Sequence, residues 1–459
     1  MRVQQKIEFL KDDLVKAVRE CIRIESVKGV AEPGAPFGPG ISRALTWTLG
    51  LGESLGFKIK NVDGYAGHIE LGSAGETIGI LGHLDVVPAG EGWTFPPFGG
   101  NLHEGRIYGR GALDDKGPTL AALFAMKAIM DSGYNLKKNV RLILGTNEES
   151  GEWEDLKRYE EQVGLPPTGF APDAEFPLIH AEKGILHLEL RKTLPQLRYI
   201  QEIRGGERPN IVPGTCKIVL KEISLSDIQA ALKHYHFPEG VTAEVKEAGK
   251  EIHIIVRGIS AHGSLPEKGK NAVAHALQFL NSLSFDPAEQ ELLGWLCEHL
   301  AWSYAGEGLG LASQDEVSGK LSLNLGLFEL LHNHLSLVLD IRYPVTRKGE
   351  EFIERVQAKL EGSGFSLKVL SHQNAHHVPK DSPLVQSLLK AYGEVTGFEP
   401  YAFAIGGGTY AKALKEGVAF GPVFPGEPDL IHRADEYITV DHLMLTAQIY
   451  AEGILNLGL

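Results

Sequence analysis

Five short segments of the chain carry side chains able to hold metal ions or move protons. The first is His83-Leu84-Asp85, directly after the apolar run TIGILG. Ligands of open α/β sheets gather at the carboxyl ends of strands. A metal-bound histidine commonly donates its second ring N–H to a carboxylate. A His-x-Asp pair at a strand end can therefore supply both a ligand and its orienter. The second segment, Gly109-Arg110-Gly111-Ala112-Leu113-Asp114-Asp115-Lys116-Gly117, sets two carboxylates in a tight loop before a helix-like run that opens at Pro118. The third, Asn147-Glu148-Glu149-Ser150, follows NVRLILGT. Adjacent carboxylates on a turn point in different directions, so one can ligate a metal while the other holds a water. Asp173 in APDAEFP is the fourth and His432 in PGEPDLIHRADEY the fifth.

Each segment has an ordinary reading by itself: a strand-end histidine, a charged loop, a solvated acidic turn, an isolated acid, a structural histidine. The conjunction is what points to chemistry. Four of the five follow, or closely follow, an apolar strand-like run. Zinc takes nitrogen and oxygen donors at ~2.0–2.2 Å, and catalytic zinc keeps a position open for water. Two ions ~3.5–4 Å apart need a bridging carboxylate and further ligands for each. His83, Asp114, Glu149, Asp173 and His432 meet that count, and Glu148 is left over.

The elements that must position these residues fall into two textures. From about residue 66, strand-type runs (HIEL, TIGILG, NVRLILGT) alternate with helical ones (PTLAALFAMKAIM). That rhythm predicts a mostly parallel sheet with helices on both faces. The same texture returns near the end, where SPLVQSLLKAYGEVTG reads as a helix, EGVAFGP as a strand, and TVDHLMLTAQIYAEGILNL as a closing helix with Asp441 as N-cap. The N-terminus reads as one amphipathic helix with Ile7, Leu10, Leu14, Val18 and Ile22 on a stripe. Between them, alternating strands such as ILHLEL, EIHIIVRG, KLSLNLGLFEL and HLSLVLDIRYPV are interrupted by helical runs, NAVAHALQFLNSL and EEFIERVQAKLEGSG among them. The reading is an α/β domain in two parts, residues 1–182 and 378–459, with an α+β lid of antiparallel strands inserted over 183–377.

Composition narrows the classes. Lys and Arg number 45 against 59 Asp and Glu, a formal charge of −14 that argues against nucleic acid and anionic membranes as partners. Hydrophobic residues make up 43% and charged residues 23%, as in globular proteins. Cys21, Cys216 and Cys297 are odd in number and far apart, which fits a reducing cytoplasm and no disulfide framework. Charges interrupt the first 24 residues, so no signal peptide is read there. No run approaches the ~18 apolar residues of a membrane span. Neither the full dinucleotide fingerprint nor a Walker ending is present, which leaves a nucleotide-binding reading weak.

HLDVVP, GRGALDDKGP, GTNEESG, APDAEFP and PGEPDLIHRADEY, in that order over nearly the whole length, resemble the two-zinc exopeptidase and deacylase family of aminoacylase, glutamate carboxypeptidase and succinyl-diaminopimelate desuccinylase. More narrowly the chain looks like the PepV-type dipeptidases. The resemblance implies two divalent ions, zinc or else manganese or cobalt, bridged by Asp114 with a cis peptide to Asp115. His83 and Asp173 would complete one metal, Glu149 and His432 the other. Asp85 would orient His83, and Glu148 would be the general base. Asp at 173 is the form associated with peptidases, although deacylases use Asp or Glu. In the lid, GISAHGSLPEKGKNA makes His262 the oxyanion candidate, GGERPNIVPG supplies Asn210 and LDIRYPVT supplies Arg342. AIGGGTYAKAL supplies Gly407, Gly408 and Thr409 for the substrate carboxylate. The lid spans roughly 195 residues, about twice a small four-stranded domain. The resemblance reads it as doubled ferredoxin-like halves that stand in for a partner subunit, so that a monomer is complete. The implied activity is hydrolysis of dipeptides, with N-acyl amino acid deacylation as the alternative and a non-catalytic metal-binding protein as a third reading.

Overall fold

A computed structural model of the chain describes residues 3–72 and 75–459. They form two compact units: Met1–His180 with His377–Phe403 and Thr409–Leu459, and Ala181–His376 with Ala404–Gly408.

In the first unit the strand Thr77–His83 pairs in parallel with Asn139–Gly145 on one side and with Thr168–Ala171 on the other. Glu416–Ala419 extends the parallel set beyond Thr168–Ala171. Antiparallel Ala66–Leu71 and Lys58–Val62 close the opposite edge. The two central runs, TIGILGH and NVRLILG, are almost wholly buried, as strands covered on both faces must be. Alternation decides which face each side chain meets. Ile80, Leu142 and Leu144 join the larger core with Leu120, Phe124 and Ile449. Leu81 and Ile143 join a smaller one with Leu156, Tyr159 and Tyr410. The helix Lys116–Asp131 is buried nearly all round and packs against the helices Lys11–Ile22 and Val440–Gly458. An apolar circumference of that kind belongs to a central helix.

Two local expectations are corrected. The N-terminal stripe is split into Val3–Phe9 and Lys11–Ile22, because Leu10 takes φ −90° and ψ 1°, outside the helical range. Ile7, Leu14, Val18 and Ile22 are still buried. The closing helix, Val440–Gly458, is capped by Thr439, whose Oγ1 accepts from the amide of His442 at 3.0 Å. Asp441 lies in the first turn, where a negative charge complements the helix dipole. The cap falls to Thr439 because its backbone is extended, ψ 147°, which aims its side chain at the free amides.

The second unit is built on one eight-stranded antiparallel sheet. Its order is Thr242–Ala248, Glu251–Arg257, Thr215–Lys221, Ile200–Gly205, Ser322–Leu331, His334–Tyr343, Gly184–Thr193 and Ser366–Gln373. The pairing of Ile200–Gly205 with Ser322–Leu331 joins two four-stranded halves. Leu225–His234 and Ala272–Asn281 pack on the first half, and Gly349–Leu360 on the second. Alternate side chains, such as Leu186, Leu188, Leu190 and Ile252, Ile254, Val256, meet in the unit's core.

Each unit holds a buried neutral histidine. His68 bonds the Tyr159 hydroxyl through Nδ1 at 2.7 Å, and His275 lies edge-on to Trp302. Burial first, then Arg141 and Lys60 for His68 and Lys270 for His275, lowers each to about 4. An unfolded histidine titrates near ~6.5. Their stabilising contribution is therefore whole above that pH and is lost as pH falls through about 4. Melting temperatures in chelator should fall over this window, and His275→Gln should make the fall shallower. An unchanged slope would contradict it.

Candidate metal centre

The parallel sheet delivers the chemistry to one end. His83 is the last residue of its strand, and Glu148 and Glu149 lie just beyond the neighbouring strand Asn139–Gly145. Asp173 follows the strand Thr168–Ala171, and Asp114 precedes the helix Lys116–Asp131. His432 stands on the loop after Glu416–Ala419 with φ 63°. A left-handed backbone is costly for a residue with a Cβ and persists only where its surroundings demand it.

These residues form two triads that share Asp114: His83, Asp114 and Asp173, and Asp114, Glu149 and His432. Within each, the candidate ligand atoms all lie within 4.8 Å of one another. His83 Nε2 is 2.9 Å from Asp114 Oδ1 and 4.0 Å from Asp173 Oδ2. His432 Nε2 is 3.0 Å from Asp114 Oδ2 and 3.0 Å from Glu149 Oε2. The Asp114–Asp115 peptide is cis.

The donor set fits cations. His83 Nδ1 lies 3.0 Å from the Asp85 carbonyl, which can only accept, so Nδ1 carries the hydrogen. That turns the other ring nitrogen towards Asp114. His83 Nε2 and Asp114 Oδ1 are buried and face each other, with no other hydrogen-bond partner among the described residues. A lone pair facing a carboxylate calls for positive charge between them. Without metal, a proton serves. Burial opposes it, but Asp114 and Asp85 raise His83 well above its usual range. At His432, Glu149 and Asp114 likewise overcome burial and raise it to about 11. Glu148 is half-buried. Burial first, and then Asp173, Glu149 and Asp114 against the pull of His83, lift its carboxyl well above the usual range.

Asp85 meets both His83 and the turn after the neighbouring strand. Its carboxylate stands 3.6 Å from His83 Nδ1 and accepts the amides of Glu148 and Glu149 at 3.1 Å each. Asp115 accepts from the His83 amide at 3.1 Å and from Thr119 Oγ1 at 3.0 Å. Sequence reasoning missed a further support, Glu436. Its Oε1 accepts the amides of Gly111 (3.1 Å), Leu113 (2.8 Å) and Asp114 (3.3 Å), and its Oε2 pairs with Arg110 at 2.6 Å. Both partners are buried. The available signal was its place four residues after His432.

The lid candidates share one patch of the second unit. The Asn210 carbonyl accepts from the Gly263 amide at 2.7 Å, and Ile211 bridges to His262. His262 is exposed, with Nδ1 2.7 Å from Ser264 Oγ. A Cβ on Gly263 would lie 2.7 Å from Asp340 Oδ2. Arg342 gives Nε and Nη2 to Asp340 at 2.7 and 2.9 Å and Nη1 to the Gly406 carbonyl at 3.0 Å. Its fork is thus occupied by Asp340, which lies two residues earlier on the same strand. Gly407 and Gly408 follow Gly406 in this unit. Thr409 belongs to the first, where its Oγ1 accepts from the Ala411 amide at 3.1 Å. No helix among the described residues is long and apolar enough to cross a membrane.

Comparison with known proteins fits this geometry. The profile of peptidase family M20/M25/M40 matches residues 79–456. A Bacillus subtilis protein named "Putative dipeptidase YtjP" is 39% identical over 457 residues, 98% of each chain. A Staphylococcus haemolyticus protein of the same description is 34% identical over 99% of each. Among solved structures, an M20 family metallo-carboxypeptidase of Sulfolobus solfataricus superposes with TM-score 0.61 at 18% identity, covering 96% of this chain and 98% of its own. The di-peptidase Dug1p of Saccharomyces cerevisiae does so with TM-score 0.60 at 15%, covering 99% and 97%. At such identities the structures speak for the fold.

Removing the charge of Glu436 tests the loop support. Glu436→Gln leaves Arg110 buried without its counter-charge, a loss of ~3–5 kcal/mol in stability. It should also weaken metal binding by about 10–100-fold, as losses behind a ligand do. Calorimetric titration with zinc and chemical denaturation read both. Wild-type values for the two would contradict the role.

Proposed function

The chain belongs to peptidase family M20/M25/M40, and from that premise we propose that it is a metal-dependent dipeptidase acting on substrates with a free amine and a free C-terminal carboxylate. The observation that carries the reading is the pair of ligand triads sharing Asp114. His83 and Asp173 hold one divalent ion with Asp114, and Glu149 and His432 hold the other. Zinc is our first choice, with manganese or cobalt compatible with the same donors. Bound there, the pair of ions lowers the pKa of a water towards ~7 and polarises the scissile carbonyl.

The protein's own residues do the rest. Glu148 takes the proton of the attacking water and returns it to the leaving amine. Asp85 fixes His83 and the turn that carries Glu148. His262 donates to the developing oxyanion, where a fixed donor counts most. Asn210 and Arg342 hold the substrate, and Gly407, Gly408 and Thr409 receive its carboxylate. Arg342 is suited to a bidentate grip, and taking that role means sharing or releasing Asp340. We read the protein as a cytoplasmic monomer. The widely spaced free thiols Cys21, Cys216 and Cys297 agree with a reducing compartment.

Glu148→Ala should keep both metals by mass spectrometry and lose turnover by at least ~10²–10⁴-fold. Near-normal hydrolysis would remove the general-base role. On a panel of Ala-Ala, β-Ala-His and N-acetyl amino acids, the free-amine peptides should be cleaved. Preference for the N-acetyl compounds would replace the dipeptidase with a deacylase.

A further inference from the structure

The turn that carries Glu148 and Glu149 is held by two buried carboxylates rather than one. Four consecutive amides, those of residues 146 to 149, point at them. Asp85 takes the amides of Glu148 and Glu149. Asp155 Oδ2 takes those of Thr146 at 2.6 Å and Asn147 at 3.0 Å. Asp155 also accepts from the Tyr410 hydroxyl, whose oxygen is 3.4 Å from the Asn147 amide. Asp155 and Tyr410 are both buried, and neither is a candidate ligand.

The surroundings are shaped for this contact. A Cβ on Gly145 would come within 2.2 Å of the Tyr410 ring, so the strand needs a glycine where it meets the turn. The ring stands edge-on to His83, with centroids 6.1 Å apart, and to Trp153, at 5.4 Å. Trp153 precedes the helix Glu154–Gln162 with φ 51° and sends its indole N–H to the Glu148 carbonyl at 3.2 Å. Burial raises the Asp155 carboxyl to about 6, against the pull of Tyr410 and the Thr146 amide. Asp155 is a buried acid held by backbone and hydroxyl donors, and an apolar residue in its place would leave those buried amides unpaired.

We infer that Asp155 and Tyr410 are a pair of positioning residues that lock the 146–149 turn and thereby aim the Glu148 and Glu149 carboxylates. Asp85 anchors the half of the turn that bears the two glutamates, and Asp155 anchors the half next to the strand Asn139–Gly145. Tyr410 fixes the Asp155 oxygen under both amides at once. It also joins the turn to Thr409, its chain neighbour. The catalytic consequence rests on the reading of Glu148 as general base, whereas the locking of the turn does not.

The test uses the full chain as Tyr410→Phe, Asp155→Asn and the double variant, with zinc and with chelator. In chelator, hydrogen exchange of the amides of residues 146–149 should quicken by about tenfold in Tyr410→Phe, while that of Asn139–Gly145 stays as in wild type. With zinc, kcat on Ala-Ala should fall by about 10–100-fold, with KM within about twofold and two ions still bound. The double variant should be no worse than the worse single one, the signature of residues acting through each other. Wild-type exchange at 146–149 overturns the inference, as does a kcat loss that only follows lost metal or lost folding. Should Asp155→Asn fail to fold, Tyr410→Phe alone decides. If wild type cleaves no dipeptide, the dipeptidase reading falls and exchange in chelator still decides the locking.

Discussion

One carboxylate ties the site together. Asp114 presents Oδ1 to His83 at 2.9 Å and Oδ2 to His432 at 3.0 Å, while Asp173 and Glu149 crowd the same space. Three acids this close repel one another, and burial raises the cost of their charge. Positive charge among them offsets that cost, and without metal the two histidines supply it as protons. Much of the first unit can be read as the means of imposing that arrangement. A parallel sheet brings His83, Glu149 and Asp173 to one end from three neighbouring strands. A buried helix then brings Asp114 to them, and the closing helix packs against that helix in turn.

Behind the candidate ligand acids stands a second set that faces the backbone. Asp85, Asp115, Asp155 and Glu436 each accept main-chain amides. Each accepts from a segment that bears a candidate ligand or base. An amide points its dipole at a carboxylate without neutralising it, so these acids stay costly alone. Arg110 supplies the missing charge at Glu436, and the Tyr410 hydroxyl the missing donor at Asp155. A site whose ligands must hold position to a fraction of an ångström needs this kind of rigid backing. The lid shows the same device, where Asp340 holds the fork of Arg342.

The candidate ligands that the structure brings together stood out in the sequence because few residue types bind divalent ions and because strands place them at predictable points. The central strands were legible for a similar reason: burial on both faces leaves unbroken apolar runs. What escaped lacked such a signature. Thr242–Ala248 and Ser366–Gln373 are edge strands, mostly exposed, and TAEVKEA and SLKVLSHQ show no strand-like alternation strong enough to read. Glu436 looks like a surface charge until its three amides are seen. Asp155 and Tyr410 lie 255 positions apart, and nothing local links them. Thr439 and Asp441 are both good caps on paper, and only the backbone angle separates them. Family likeness supplied roles for lid residues such as His262 and Asn210 that their neighbours in sequence do not disclose.

Two cations gathered around one aspartate would define this site. Crystals grown with zinc and measured on both sides of the zinc absorption edge address this directly. The anomalous map should hold two peaks ~3.5–4 Å apart, one on each side of the Asp114 carboxylate. A map with no peak there, or with peaks that Asp114 does not touch, would contradict it.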